Sequence, residues 1–499
     1  MSTYPKIIQG GMGAGVSNWR LARAVSTHGQ LGVVSGTALD QIFARRLQDG
    51  DPDGNMRRGL DRFPFPRMAE RIWKSYFVPG GKPPGGPYKT LPMQAKSSPR
   101  ELQELCIAAN FVEVFLAREG HAAPVGINYL EKVQIPHLPS LYGAMLAGVA
   151  YVLMGAGIPV RIPGVLDSLT HHQPASYPLQ VTGAQEGDDT TMTFIPRDFM
   201  EHDLLPLNRP KFLAIIASNI LAATMLKRAN GRVDGFVVEG PTAGGHNAPP
   251  RGKLQLNPAG EPIYGERDKV DLVKLRELGL PFWLAAEYGS PEKVREALAD
   301  GATGVQVGTP FAFCVESGLA QDYRQTILAS VASGTVEVLT DPLASPTHFP
   351  FKIVQMEGSL SEYEVYSSRR RICDLGYLRE AYRTPEGAIG YRCAAEPVAT
   401  YVAKGGDLEN TVGRKCLCNA LLANIGLPQV RSDGRVENGL ITAGNGLVEI
   451  ARFLPANGWD YSAADVVRAL LDGHVTDSLA IHPIDSAGAT VSGEALMPV

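Results

Sequence analysis

The residues best equipped for chemistry stand together in Asp234-Gly-Phe-Val-Val-Glu239-Gly-Pro-Thr-Ala-Gly-Gly-His246, with Asn-Ala-Pro-Pro-Arg251 behind them. A short apolar run, Phe236 to Val238, reads as a buried parallel strand that ends on an acid and passes into a glycine-rich turn. Glycines at 240, 244 and 245 let the backbone approach a ligand closely. His246 is the side chain here whose charge ordinarily changes near neutral pH. An acid, a glycine turn and a histidine at a strand end make an active-site loop; a surface turn with an incidental histidine is the other reading of these residues alone.

Such a loop needs a scaffold, and the chain repeats one unit: strand, glycine loop, helix. The strand-like runs are Ile7 to Gln9, Gly32 to Gly36, Pro124 to Asn128, Tyr151 to Gly157, Phe212 to Ala217, Gly235 to Glu239, Pro281 to Ala286 and Gly304 to Thr309. Between them lie segments with apolar residues at helical spacing, such as Leu102 to Leu116 and Pro291 to Leu298. Ser17 is expected to cap the helix beginning near Asn18. Eight such units predict an α/β fold, a (β/α)8 TIM barrel, over residues 1–320. A doubly wound sheet is the alternative, but the glycines are spread over all strand ends, and no ribose-binding acid follows the first loop at the right distance.

Two regions leave the repeat. Residues 49–99, centred on Pro79-Gly-Gly-Lys-Pro-Pro-Gly-Gly-Pro87, read as an irregular insertion. Residues 321–499 read as a smaller, mostly helical C-terminal cap with an irregular tail. The segment 247–268, with Arg251, Tyr264 and Arg267, reads as a lid or as a solvated excursion.

Composition excludes several classes. Of 499 residues, 44% are hydrophobic and 20% charged, which is ordinary for a globular protein. A net charge of −4 without a dense basic run argues against nucleic acid. The most apolar segment, Phe212 to Leu226, is too short to cross a membrane, and the first residues lack a signal-peptide pattern, so a cytoplasmic location is expected. Six cysteines in this length do not suggest a disulfide scaffold. Cys373, Cys393, Cys416 and Cys418 fall close together; zinc or an iron-sulfur cluster is one reading, but their spacing fits no ribbon or ferredoxin pattern, and thiols without metal are expected.

Gly289 precedes a helix opened by Ser290 and Pro291, and Gly308-Thr309 follows the next strand in the same way. Two adjacent glycine turns after strands seven and eight form the usual barrel site for a phosphate. With these in place the chain resembles the FMN-dependent nitronate monooxygenases (2-nitropropane dioxygenase-like), whose fold flavin enoyl reductases share. The resemblance rests on Ile7-Ile-Gln-Gly-Gly-Met-Gly-Ala-Gly-Val-Ser17, Gly126-Ile-Asn128, Gly240-Pro-Thr-Ala-Gly-Gly-His246 and Gly304-Val-Gln-Val-Gly-Thr309, in order along residues 1–319. It implies FMN held by Gly11, Met12 and Asn128 at the ring, by Ser218, Glu239, Gly244 and Gly245 beside the cofactor, and by Ala286, Gly289, Gly308 and Thr309 around the phosphate. It implies His246 as the catalytic residue, anchoring an anionic oxygen as imidazolium or removing an α-proton as neutral base.

The implied activity is oxidation of an alkyl nitronate or related activated carbon acid with O2. The alternatives are an NAD(P)H-dependent enoyl reductase, whose partner would be an acyl carrier protein, and a flavin-poor accessory subunit. A small-molecule substrate is expected in the first two, and a homodimer is left open. The sequence departs from the family at Ala286-Glu287, where glycines are usual. A carboxylate facing a phosphate would weaken binding, so Glu287 is expected to turn outward or to meet a cation.

Overall fold

The computed structural model describes residues 4–471. Eight parallel strands form one sheet: β1 (Ile7–Gln9), β2 (Gly32–Ser35), β3 (Val125–Leu130), β4 (Tyr151–Gly155), β5 (Lys211–Ile216), β6 (Gly235–Val238), β7 (Phe282–Ala285) and β8 (Gly304–Val307). Each pairs with its neighbour in chain order, and β1 pairs with β8. Closure comes at Leu31, which bridges Ile8: Gln9 N donates to Leu31 O at 2.9 Å and Leu31 N to Ile7 O at 3.0 Å. The sheet is therefore a closed (β/α)8 barrel, as the eight apolar runs predict.

Both faces of these strands are buried, which is why they read as continuous apolar runs rather than as alternating ones. Ile8, Val33, Leu153, Leu213, Val237 and Trp283 fill the barrel interior, while residues such as Ile7, Val34 and Val152 meet the surrounding helices. Trp283 is fully buried and its indole N–H donates to Pro5 O at 2.9 Å, so the largest interior side chain has its polar atom satisfied.

Helix starts follow from capping. Asn18, and not the expected Ser17, caps Trp19–Thr27 by accepting from Leu21 N. Ser17 instead knots the first loop: its Oγ accepts from Met12 N and donates to Gly10 O, both at 2.9 Å. Ser290 caps Pro291–Ala299, with Pro291 in the first helical position.

Outside the barrel the sequence reading needs correcting. The insertion at 49–99 contains two helices, Asn55–Leu60 and Pro66–Tyr76, the second burying Met68, Ala69 and Ile72; only its later part is irregular. Ala175–Pro178 and Thr191–Phe194 form an unanticipated antiparallel pair between β4 and β5. The C-terminal region carries, beside its helices, four short strands that the sequence did not mark. Its strands β9 (Val338–Asp341) and β10 (Phe351–Val354) pair antiparallel, as do β11 (Glu380–Arg383) and β12 (Ile389–Arg392). Strands of four residues carry too little periodicity to be told from loops. The expected helix Ala463–Leu471 is present, and the expected irregular tail lies outside the described residues.

The barrel and the C-terminal region share one hydrophobic core that includes Leu422, Ile441, Leu447 and Val466 beside Leu21 and Phe311. Gly245-His246 adds as a short third strand to β10, with Gly245 opposite Lys352 and His246 opposite Phe351. The loop that carries the histidine is thus stitched to the cap.

Candidate active site

At the carboxyl ends of the barrel strands the cap encloses a cavity of about 420 Å³. Gly11, Met12, Asn128, Glu239, Gly244, Gly245, His246, Ala286, Gly308 and Thr309 all line it. Ser218 and Gly289 do not. Ser218 is committed to its helix, its Oγ accepting from Leu221 N at 3.1 Å, and Gly289 lies against Pro310. The phosphate turn expected after β7 is therefore represented in the cavity by Ala286 alone.

Strand geometry explains the convergence. Side chains two apart on a strand share a face, so Asn128 follows Gly126 and Gln306 follows Gly304 on the inner side, the last inward positions before the barrel mouth. Gly11 is packed so close to β3 that a Cβ there would stand 2.4 Å from Asn128 Cβ, which leaves bare backbone on the cavity floor. Gly244 is held against the cap in the same way: a Cβ would lie 2.8 Å from Ala443 C.

Two residues of the cavity lining, Gln306 and Asn247, each carry a buried side-chain oxygen without a partner among the described residues, Gln306 Oε1 and Asn247 Oδ1. An unsatisfied buried acceptor costs about 1–3 kcal/mol, and a ligand bearing N–H or O–H groups would remove that penalty. Neither residue was singled out in the sequence, although a glutamine within the buried run Val305-Gln-Val307 was a legible signal.

Burial shifts both His246 and Glu239, in opposite directions. Burial pushes the His246 imidazole down to about 4, aided by the charge of Lys132. Its Nε2 meets Ser345 Oγ at 2.7 Å, and its ring stands edge-on to Phe351 at 4.8 Å. Of the two roles left open for His246, this environment favours the neutral base over the imidazolium. Lys132 supplies the nearby positive charge, with its Nζ 3.8 Å from the Phe349 ring centre. Burial raises the Glu239 carboxyl to about 7, and its side chain makes no hydrogen bond with the described residues. The group poised at neutral pH is Glu239.

The cap contributes Phe349, Phe351, Tyr377, Leu378, Cys418 and the turn Ile441 to Gly444, none of which the sequence marked as site residues. Gly444 N donates to Thr309 Oγ1 at 2.9 Å, which leaves the Thr309 hydroxyl proton free to bind an anion. Arg251, Tyr264 and Arg267 of the proposed lid do not line the cavity; Tyr264 OH donates to Ala248 O within its own loop.

Residues 206–342 match the nitronate monooxygenase family. The match covers β5 to β8 and the cavity residues Glu239 to Thr309, the strand ends described above. No curated protein sequence matches the chain. Among solved structures it is similar to FabK from Thermotoga maritima (16% identity, 94% of this chain and 92% of that one, TM-score 0.46). It is also similar to nitroalkane oxidase from Streptomyces ansochromogenes (14% identity, 94% and 95%, TM-score 0.46). A third is the enoyl reductase domain of MlnA from the macrolactin biosynthesis cluster of Bacillus amyloliquefaciens (11% identity, 94% and 93%, TM-score 0.45).

The chain departs from the glycine pattern of that family at two positions, and both have a visible outcome. Ala286 adopts φ 95°, a conformation that favours glycine, so its methyl group is held at a strain of about 1–2 kcal/mol. The turn carries Glu287 to the surface, where it is exposed and does not line the cavity. Glu287→Gly is accordingly expected to change the affinity for a flavin by less than about threefold, since an exposed charge is screened by solvent. Titration of the apoprotein followed by flavin fluorescence checks this, and a gain of a hundredfold would mean that the carboxylate faces the cofactor.

Proposed function

We propose that the protein is an FMN-dependent oxidoreductase that oxidises an alkyl nitronate or a related activated carbon acid, with O2 as terminal acceptor. The observation that carries this reading is the convergence of Gly11, Met12, Asn128, Glu239, Gly244, Gly245, Ala286, Gly308 and Thr309 on one cavity, whose lining also includes Gln306 and Asn247 with side-chain oxygens unpartnered among the described residues. The residues present fit the cofactor. Unpartnered amide oxygens in the lining suit a ring that carries an N–H group, the glycine-rich backbone at Gly10 and Gly11 admits a flat heterocycle, and Gly308 with the Thr309 hydroxyl suits a phosphate. When bound, FMN takes up the substrate's electrons and passes them to O2.

The chain's own residues handle the substrate and its proton. Neutral His246, fixed by Ser345 and Phe351, accepts a proton or hydrogen-bonds a substrate oxygen, and Lys132 behind it makes the site favourable for an anion. The aromatic and aliphatic wall of Phe349, Phe351 and Leu378 excludes water around the reacting groups.

Glu239 favours a second reading, NAD(P)H-dependent reduction of an enoyl thioester, in which an acyl carrier protein presents the substrate. A carboxyl that is protonated up to about pH 7 can deliver the proton that such a reduction adds to carbon. Anaerobic mixing separates the two. Bleaching of the flavin by a nitronate alone supports the first reading, and bleaching by NADPH alone supports the second. A protein that cannot be loaded with flavin would overturn both.

FMN rather than FAD is the expected pigment, because no dinucleotide fingerprint is present and the candidate anion site is a single phosphate cup. Acid release and chromatography read this directly; recovery of FAD would overturn it.

A further inference from the structure

A second chemical centre lies behind the wall of the main cavity. Cys373, Cys393, Cys416 and Cys418 line one small cavity, and Leu378 and Cys418 line both it and the main one. Among the described residues no group of three or more ligands is arranged to hold a metal ion, so the chemistry open to these sulfurs is that of thiols. All six cysteines are unpaired by disulfides. Within the cluster, Cys373 and Cys393 line the same small cavity, close enough for each thiol to perturb the titration of the other.

Cys373 also opens the other way. It lines an open surface groove of about 600 Å³ together with Arg370, Arg371, Arg379, Lys404 and Glu396. Arg370 is exposed and makes no ion pair or hydrogen bond with the described residues, so its charge is available to a visitor. Glu396 is 3% exposed; its Oε2 accepts from Lys404 Nζ at 2.9 Å, while Oε1 is buried without a partner. The groove is thus basic: Arg370 is free to meet a carboxylate, and Arg371 and Arg379, held by backbone carbonyls and carrying no ion pair with the described residues, add their positive charge beside it. The neighbouring Cys393 thiol, with Arg379 nearby, lowers the Cys373 thiol from its ordinary range, while Cys373 and burial raise Cys393 well above it. One thiol is therefore the attacker and the other its reserve.

We propose that Cys373 and Cys393 form a redox-active dithiol that reacts with a small anionic disulfide of the glutathione class, received in the basic groove. The Cys373 thiolate attacks one sulfur of the disulfide, forming a mixed disulfide and expelling one thiolate, which takes a proton from solvent. Cys393 then loses its proton to solvent and its sulfur attacks Cys373 Sγ, closing the Cys373–Cys393 disulfide and releasing the second thiolate, which is protonated in turn. Two protein thiols are oxidised and one external disulfide is reduced to two thiols. The closed disulfide clamps the segment that leads into Tyr377 and Leu378, which form part of the main cavity wall.

The test uses the full chain and oxidised glutathione, read by peptide mass mapping under non-reducing conditions. The wild type is expected to yield the Cys373–Cys393 disulfide, and Cys393→Ser to stop at a glutathione adduct on Cys373. 2-Hydroxyethyl disulfide, which is neutral, is expected to react about tenfold more slowly than oxidised glutathione, and Arg370→Gln to slow the glutathione reaction about twofold to threefold. Arg370→Gln touches no other residue, so it keeps the test decisive if a cysteine variant misfolds. An adduct confined to Cys416, Cys418 or the core cysteines would overturn the proposal. So would a neutral disulfide that reacts as fast as the anionic one.

Discussion

Glu239→Gln is expected to lower turnover by about two to three powers of ten and to remove an inflection near pH 7 from the rate profile. Glutamine keeps the shape and a hydrogen-bond donor but can neither give up nor take a proton. The carboxyl stands at the end of β6 on the cavity wall, and burial raises it from 4.5 to about 7, so its two forms exchange within the working range. The same group should be visible in stability. Between 4.5 and about 7 the folded protein binds more protons here than the unfolded chain, so stability falls as pH rises through that window. The penalty is fully present above it and is at most about 3 kcal/mol. Melting curves of the flavin-free wild type and of Glu239→Gln should coincide at pH 4 and diverge by pH 8, with the variant the more stable. Parallel curves at all pH values would show that the carboxyl titrates normally and has no poised role.

His246→Asn should cost as much activity for a different reason. Asparagine can still meet Ser345 Oγ, so the loop stays tethered, but the imidazole nitrogen that takes a proton is gone. Turnover is expected to fall about two to three powers of ten with full FMN content. Lost contact with Phe351, worth about 1 kcal/mol, should lower the thermal midpoint by about 2–4 °C at most. Because His246 is held near 4, the variant should keep the inflection near pH 7 that Glu239→Gln loses. Comparing the two profiles assigns the inflection: if His246→Asn abolishes it and Glu239→Gln does not, the two assignments must be exchanged.

The barrel was legible because each strand is an apolar run closed by glycine, and runs such as Phe236 to Val238 have no other easy home than a parallel sheet buried on both faces. Much of the cavity floor was legible for the same reason, since barrel ligands meet the strand ends. What the sequence hid was everything decided by long-range packing. Nothing local to His246 says that Lys132 and Phe351, both distant in sequence, would surround it and suppress its charge. Nothing in Cys373 and Cys393 announces that β11 and β12, which lie between them, return the chain so that both line one small cavity. Ser218 and Gly289 had the right type and position along the chain, but helix capping claimed the first and packing against Pro310 the second.

The short strand at Gly245-His246 has a further consequence. Asn247 N bonds Pro350 O at 2.9 Å, Asn445 N bonds Thr242 O at 3.0 Å, and Arg45 Nη1 reaches Leu427 O at 2.5 Å, so barrel and cap are joined on several sides of one continuous core. Removing the cap would expose the edge beside His246, strip Thr309 of its neighbour and open the interior of the outer helices at once. Thermal denaturation should therefore follow a single cooperative endotherm rather than two. A destabilising substitution in the cap, even one far from the cavity, is therefore expected to loosen the His246 loop together with the barrel.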